Sequence, residues 1–142
     1  MWCWIKSSFL WMMYRCGWGT KENQEYILAI DMKREAFDFI VQNAVVSMYN
    51  DDMDISYTEW QEQIKKSDIR CQWDPERDLY GQPLGHRSIQ LGLRGEAVRK
   101  YVNEWIVNIT DITDYVKQLR EQKNIGIDVS SLLPKEKVYD TR

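Results

Sequence analysis

Two short stretches hold the residue types best suited to chemistry. In the first, Lys6, Arg15 and Trp18 frame a run of aromatic and methionine side chains that begins at Trp4. In the second, Trp73, Asp74, Glu76 and Arg77 precede Arg87, Ser88 and Gln90. The chain has seven tryptophans in 142 residues, and most of them fall in these stretches. Indole faces beside guanidinium groups stack planar ligands and hold anions, and they also occur in ordinary cores. Arg15 lies four residues after Trp11 and three before Trp18, within reach of either ring on a helix. If that arginine is buried, its charge requires a carboxylate or a ligand, because an unpaired buried charge costs several kcal/mol.

Each constellation has two readings. Glu76 or Asp74 at a strand end is placed to act as a general base while Arg77 holds an anionic group. The plainer alternative is a turn opened by Asp74-Pro75, with Arg77 in exposed ion pairs that contribute little. Arg70, Gln72, Ser88 and Gln90 share one face if their two strands pair. They then form either a row that reads a ligand's polar edge or the solvated side of a sheet. His86 is the single histidine and has no orienting partner in sequence.

The Gly17-Trp18-Gly19-Thr20-Lys21 segment lacks phosphate-loop spacing, and Gly92-Leu93-Arg94-Gly95 is not a dinucleotide fingerprint. No nucleophile elbow or cysteine–histidine pair is present. Three cysteines (Cys3, Cys16 and Cys71) without CxxC spacing argue against a structural zinc site. A net charge of −3, from 19 basic and 22 acidic residues, gives no electrostatic support to a nucleic-acid partner.

These residues must be positioned by secondary structure that the pattern predicts. Ser8 caps a helix running from Phe9 to Cys16, stopped by Gly17 or Gly19. A short strand is expected over 25–30, followed by an amphipathic helix over 33–49 carrying Phe37, Ile40, Val41, Ala44, Val45 and Met48. Ser56 with Glu59 opens a helix reaching Lys66. Residues 69–74 and 88–93 alternate as half-buried strands. The thirteen residues between them, with Pro75, Gly81, Pro83 and Gly85, read as a loop too long for a tight hairpin. A helix over 96–104, a strand over 106–109 and a last helix capped by Asp111 follow. Residues 127–142 read as a polar arm anchored by Leu132 and Leu133.

The sum is an α+β fold in a single domain over residues 1–142, a small, mostly antiparallel sheet packed with about five helices. The apolar opening is interrupted by Lys6 and Arg15, is too short to span a bilayer and has no cleavage site, so no membrane association is expected. The odd cysteine count fits a reducing cytoplasm.

The runs Trp4-Ile5-Lys6-x-Ser8-Phe9-Leu10-Trp11-Met12-Met13-Tyr14-Arg15, Gln72-Trp73-Asp74-Pro75-Glu76-Arg77-Asp78, Arg87-Ser88-Ile89-Gln90-Leu91-Gly92-Leu93 and Glu104-Trp105-Ile106-Val107 resemble the domain of unknown function 4291 family over nearly the whole chain. Members of that family usually carry a further N-terminal stretch with a Tyr-rich strand, and commonly have Pro where Ser7 stands. The resemblance implies no established activity or cofactor, and it raises the weight of the polar signature residues. The expected ligand-binding set is Lys6, Arg15, Trp18, Trp73, Asp74, Arg77, Arg87 and Ser88, with Glu76 and Gln90 as the catalytic candidates and no metal. The leading expectation is an enzyme acting on a nucleotide-like small molecule in an aromatic and arginine-lined cleft; an ADP-ribosyl transferase is one version, by architectural analogy alone. The alternatives are a protein-interaction module, with a homodimer among its forms, and a truncated, inactive family member.

Overall fold

The structure, a computed structural model, describes residues 2–139. The fold is α+β, with six strands and five α-helices among those residues. Strands β1 (Cys3–Lys6), β3 (Val45–Val46), β4 (Ile69–Arg77) and β5 (Pro83–Leu93) form one sheet in the order β1-β5-β4-β3. Strands β2 (Leu28–Met32) and β6 (Ile106–Asp111) form a separate two-stranded ribbon. β1 runs antiparallel to β5, with Trp4 opposite Gly92 and Lys6 opposite Gln90. β3 runs parallel to β4. The helices are α1 (Phe9–Cys16), α2 (Arg34–Asn43), α3 (Tyr57–Lys66), α4 (Gly95–Lys100) and α5 (Thr113–Asn124), and α4 continues into a π-helical turn (Tyr101–Trp105).

The chain builds two compact units and crosses between them repeatedly. One takes the chain through Ser7 with residues 32–74 and 88–107; the other takes residues 8–31, 75–87 and 108 onward. In the first unit the sheet alternates as its sequence does. Ile89, Leu91 and Leu93 of β5 and Ile69 and Cys71 of β4 are buried on one face. In the second unit Met13, Cys16, Ile27 and Val116 form the core, with Phe9, Met12, Trp18, Ile112 and Tyr115 packed around them. Each of the larger side chains contributes about 1.5–3 kcal/mol on burial.

α1 forms where its caps dictate. Ser8 Oγ accepts from the Trp11 backbone N–H, and Gly17 closes the helix in the left-handed conformation at φ 59°. α3 is capped in the same way by Ser56, which accepts from Glu59 N–H.

Four expectations need correction. The helix expected over 33–49 ends at Asn43, because Val45 and Val46 pair with Arg70 and Cys71 as a strand, the extended state that suits β-branched residues. The strand expected over 25–30 lies at Leu28–Met32. The long loop is instead a hairpin arm: β4 continues through Pro75, β5 starts at Pro83, and only residues 78–82 turn. Asp78 organises that turn. Its Oδ1 accepts from Tyr80 N–H and Gln82 N–H, and its own N–H donates to the Gln82 carbonyl. The C-terminal arm is held by Val129, which is fully buried, and by the Tyr115 hydroxyl donating to the Leu132 carbonyl. Leu132 itself is exposed, so it is not the anchor its apolar character suggested.

Candidate functional site

In the first unit, one row of polar side chains crosses the sheet. Lys6 on β1 has a side chain with 0% exposure, and its Nζ lies 3.1 Å from Asp74 Oδ2, whose side chain is 19% exposed. Lys6 Nζ also donates to the Ser88 carbonyl at 3.1 Å. Gln72 Nε2 donates to Asp74 Oδ1 at 3.0 Å and to Gln90 Oε1 at 3.3 Å, while Ser47 Oγ donates to Gln72 Oε1 at 3.3 Å. Lys6, Asp74, Ser88 and Gln90 of the expected set therefore converge. Ser88 Oγ is buried without a hydrogen-bond partner. Trp73 projects from the same strand with 46% exposure. Trp4 lies against Gly92, where a Cβ would meet three consecutive atoms of its six-membered ring at 2.8–3.0 Å, so the indole rests face-on upon that glycine. Next to it, the Arg70 guanidinium carbon is 4.3 Å from the Trp2 ring centre and that of Arg94 is 4.6 Å away. Burial and the neighbouring Arg94 charge both lower the Arg70 pKa.

In the second unit, α1, its C-terminal cap, the hairpin turn and α5 border a half-open hollow of 220 Å³. Its wall includes Tyr14, Trp18, Asp78, Tyr80, Gly81 and Lys123. Lys123 Nζ stands 5.6 Å from the Trp18 ring centre and 5.7 Å from that of Tyr80, within cation–π range of both. Arg77 stacks over Tyr14 at 4.0 Å and donates to the Gly81 carbonyl at 3.1 Å, so it fixes the turn that forms one wall. Trp18 is in the left-handed region at φ 58°, between Gly17 at 59° and Gly19 at 77°. A bulky residue is rarely found there. Two bonds hold it: Trp18 N–H donates to the Met13 carbonyl at 2.9 Å, and Arg120 donates to the Trp18 carbonyl at 2.7 Å.

The remaining expected residues serve elsewhere. Glu76 Oε1 accepts from Ser8 Oγ at 2.6 Å and from Arg77 N–H at 3.0 Å, which ties its carboxylate to the α1 cap. Glu136, from the C-terminal arm, accepts from Phe9 N–H at 2.8 Å. Partial burial raises the Glu136 pKa, the Phe9 bond opposes that, and the Glu76 charge adds to the rise. Arg15 is exposed, and so is Arg87, beside His86. The buried-arginine requirement raised for Arg15 therefore does not arise.

The hollow's Tyr14, Tyr80 and Lys123 escaped sequence reading. Tyr80 sits in the Gly/Pro-containing segment between the two alternating strands, but Lys123 lies some forty positions further on, on the helix expected from its Asp111 cap, where nothing local marks a lysine as functional. Among the described residues no group of three His, Cys, Asp or Glu side chains is placed to hold a metal ion. No described helix is long and apolar enough to cross a membrane.

Fold and site together define an α+β protein with a polar sheet row in one unit and an aromatic, lysine-bearing hollow in the other. The chain belongs to the domain of unknown function DUF4291 family, whose model matches residues 1–139. Comparison with curated proteins and with solved structures found no significant match.

Proposed function

We propose that the protein binds a small planar molecule bearing an anionic group, of the nucleotide-like kind, in the hollow of the second unit. The observation that carries this reading is Trp18. A tryptophan held at φ 58° keeps about 1–3 kcal/mol of backbone strain, and such strain persists where the surroundings enforce it, often at ligand sites. Here the strained residue forms the wall of a hollow together with a second ring, Tyr80, and one cation, Lys123. Trp18 and Tyr80 supply ring faces, and the Lys123 ammonium supplies the charge for a phosphate or carboxylate. At 220 Å³ the hollow is smaller than the roughly 300–1,000 Å³ of pockets that enclose drug-sized ligands, which suits one ring and one anionic group. Arg77 supports the reading indirectly, by fixing the turn that carries Tyr80. Glu76 is engaged at the α1 cap, which favours a binding role over general-base chemistry at that carboxylate.

Calorimetric titration with AMP and with NAD tests this. AMP is expected to bind. At one hundred times its dissociation constant it should add about 2.7 kcal/mol to unfolding stability. Lys123→Glu and Tyr80→Ala should each weaken AMP at least tenfold, while Arg15→Ala, outside the hollow, should leave it unchanged. Absence of binding by both ligands at millimolar concentration rejects the reading.

A further inference from the structure

We infer a second site, independent of the hollow, on the polar face of the first unit's sheet: it takes a planar heterocycle carrying an exocyclic carbonyl, of the pyrimidine kind. The platform is Trp4. Its ring lies flat on Gly92, and it remains 39% exposed although it belongs to a strand otherwise half-buried. Gln90 is two residues from Gly92 on the same face, diagonal to Trp4 across the β1–β5 pair and within reach of a ring stacked there.

The hydrogen-bond network fixes what that face offers. The Asp74 carboxylate, paired with Lys6, is an acceptor, so it turns the Gln72 nitrogen toward itself. The same nitrogen donates to Gln90 Oε1. That contact turns the Gln90 amide so that its NH₂ group points away from the network. Among the described residues this NH₂ donates to no protein group, and it is not buried. Two positions along the strand, Ser88 Oγ is also without a partner but is buried, so it is not offered to a ligand at the surface.

The acceptors, by contrast, are engaged: both Asp74 oxygens and the side-chain oxygens of Gln72 and Gln90 each receive a hydrogen bond. The free donor this face presents to solvent is the Gln90 NH₂ group, which matches a carbonyl oxygen. Sugar hydroxyls need donors and acceptors together and fit it poorly. Stacking on an indole selects a flat ring.

The test is ligand-observed and calorimetric titration of the full chain with uracil, with methyl glucoside alongside. Uracil should bind, and Trp4→Ala and Gln90→Leu should each weaken it at least tenfold. Gly92→Ala, which pushes the Trp4 ring off its seat, should weaken it without removing the tryptophan. Trp18→Ala, in the other unit, should leave uracil binding intact. Circular dichroism of each variant separates lost binding from lost folding. Should Gln90→Leu fail to fold, Trp4→Ala and Gly92→Ala carry the decision. The inference is overturned if uracil does not bind at 10 mM, if glucoside binds in its place, or if Trp18→Ala abolishes binding while Trp4→Ala does not.

Discussion

At the scale of single residues, the Lys6–Asp74 pair carries the clearest energetic consequence. A lysine with no side-chain exposure must keep its partner, and removing either member of a buried pair costs about 3–5 kcal/mol. Asp74 keeps some contact with water, which places Lys6→Met near the lower end, about 3 kcal/mol in urea unfolding. Replacing both residues, as Lys6→Met with Asp74→Leu, should recover most of that loss, since an apolar pair leaves no charge stranded. Arg34→Ala makes the contrast: its exposed i,i+4 pair with Asp38 should cost about 0.5 kcal/mol. Equal losses for Lys6→Met and Arg34→Ala would show that the buried pair has no special weight. Strand alternation made Gln72, Ser88 and Gln90 legible as one face, because the period of two needs only local sequence. The pairing of Lys6 with Asp74, 68 positions apart, was not legible, since nothing local sets which strand lies beside β1.

At the scale of elements, helix ends were read well where a side chain or a glycine sets them. Ser8, Gly17 and Ser56 are local devices and fall where the sequence places them. The end of α2 was missed because the apolar period runs on through Val45 while a strand partner elsewhere in the chain captures it. The caps lead to two expectations. Gly17→Ala should lower stability by about 1 kcal/mol, because φ 59° is strained for alanine and the new Cβ would stand 2.8 Å from Thr20 Oγ1. A cost no greater than that of a surface glycine such as Gly85→Ala would count against this role for the cap. At the start of α5, Asp111 Oδ1 accepts from Thr113 Oγ1 and from Thr113 N–H, and these bonds hold its carboxyl below the ordinary value of about 3.9. A carboxyl depressed in the folded state contributes stability above its unfolded value and loses it as pH falls through the folded one. Amide exchange at Thr113 and the following residues should therefore accelerate, relative to the core, as pH drops below about 4. Asp111→Asn should remove that step, and an unchanged profile in the variant would assign it to another group.

At the scale of the whole molecule, the composition and the apolar patterns were enough for the α+β class, because sheet alternation and helix period survive in local windows. The division into two interleaved units was not legible, for each draws on three separate stretches. The hairpin arm of residues 75–87 shows why. Proline and glycine there suggested a loop, yet Pro75 lies on β4 beyond Cys71, where β3 no longer pairs and a missing N–H costs the ladder nothing. Interleaving has a mechanical consequence: a cut at any of the three inner unit borders leaves stretches of both units in each fragment. Cys71 in the first unit and Cys16 in the second are both buried and report on the two separately. Burial raises the Cys71 thiol above its ordinary range, which suppresses the thiolate that reacts. In the native protein Cys71 should accordingly label slowly with a disulfide reagent at pH 8. In a guanidinium series both cysteines should become reactive over the same concentration range, since neither unit owns a continuous length of chain on which to fold alone. Labelling of Cys71 well before Cys16, followed by mass spectrometry of the tagged peptides, would show that the units unfold one after the other.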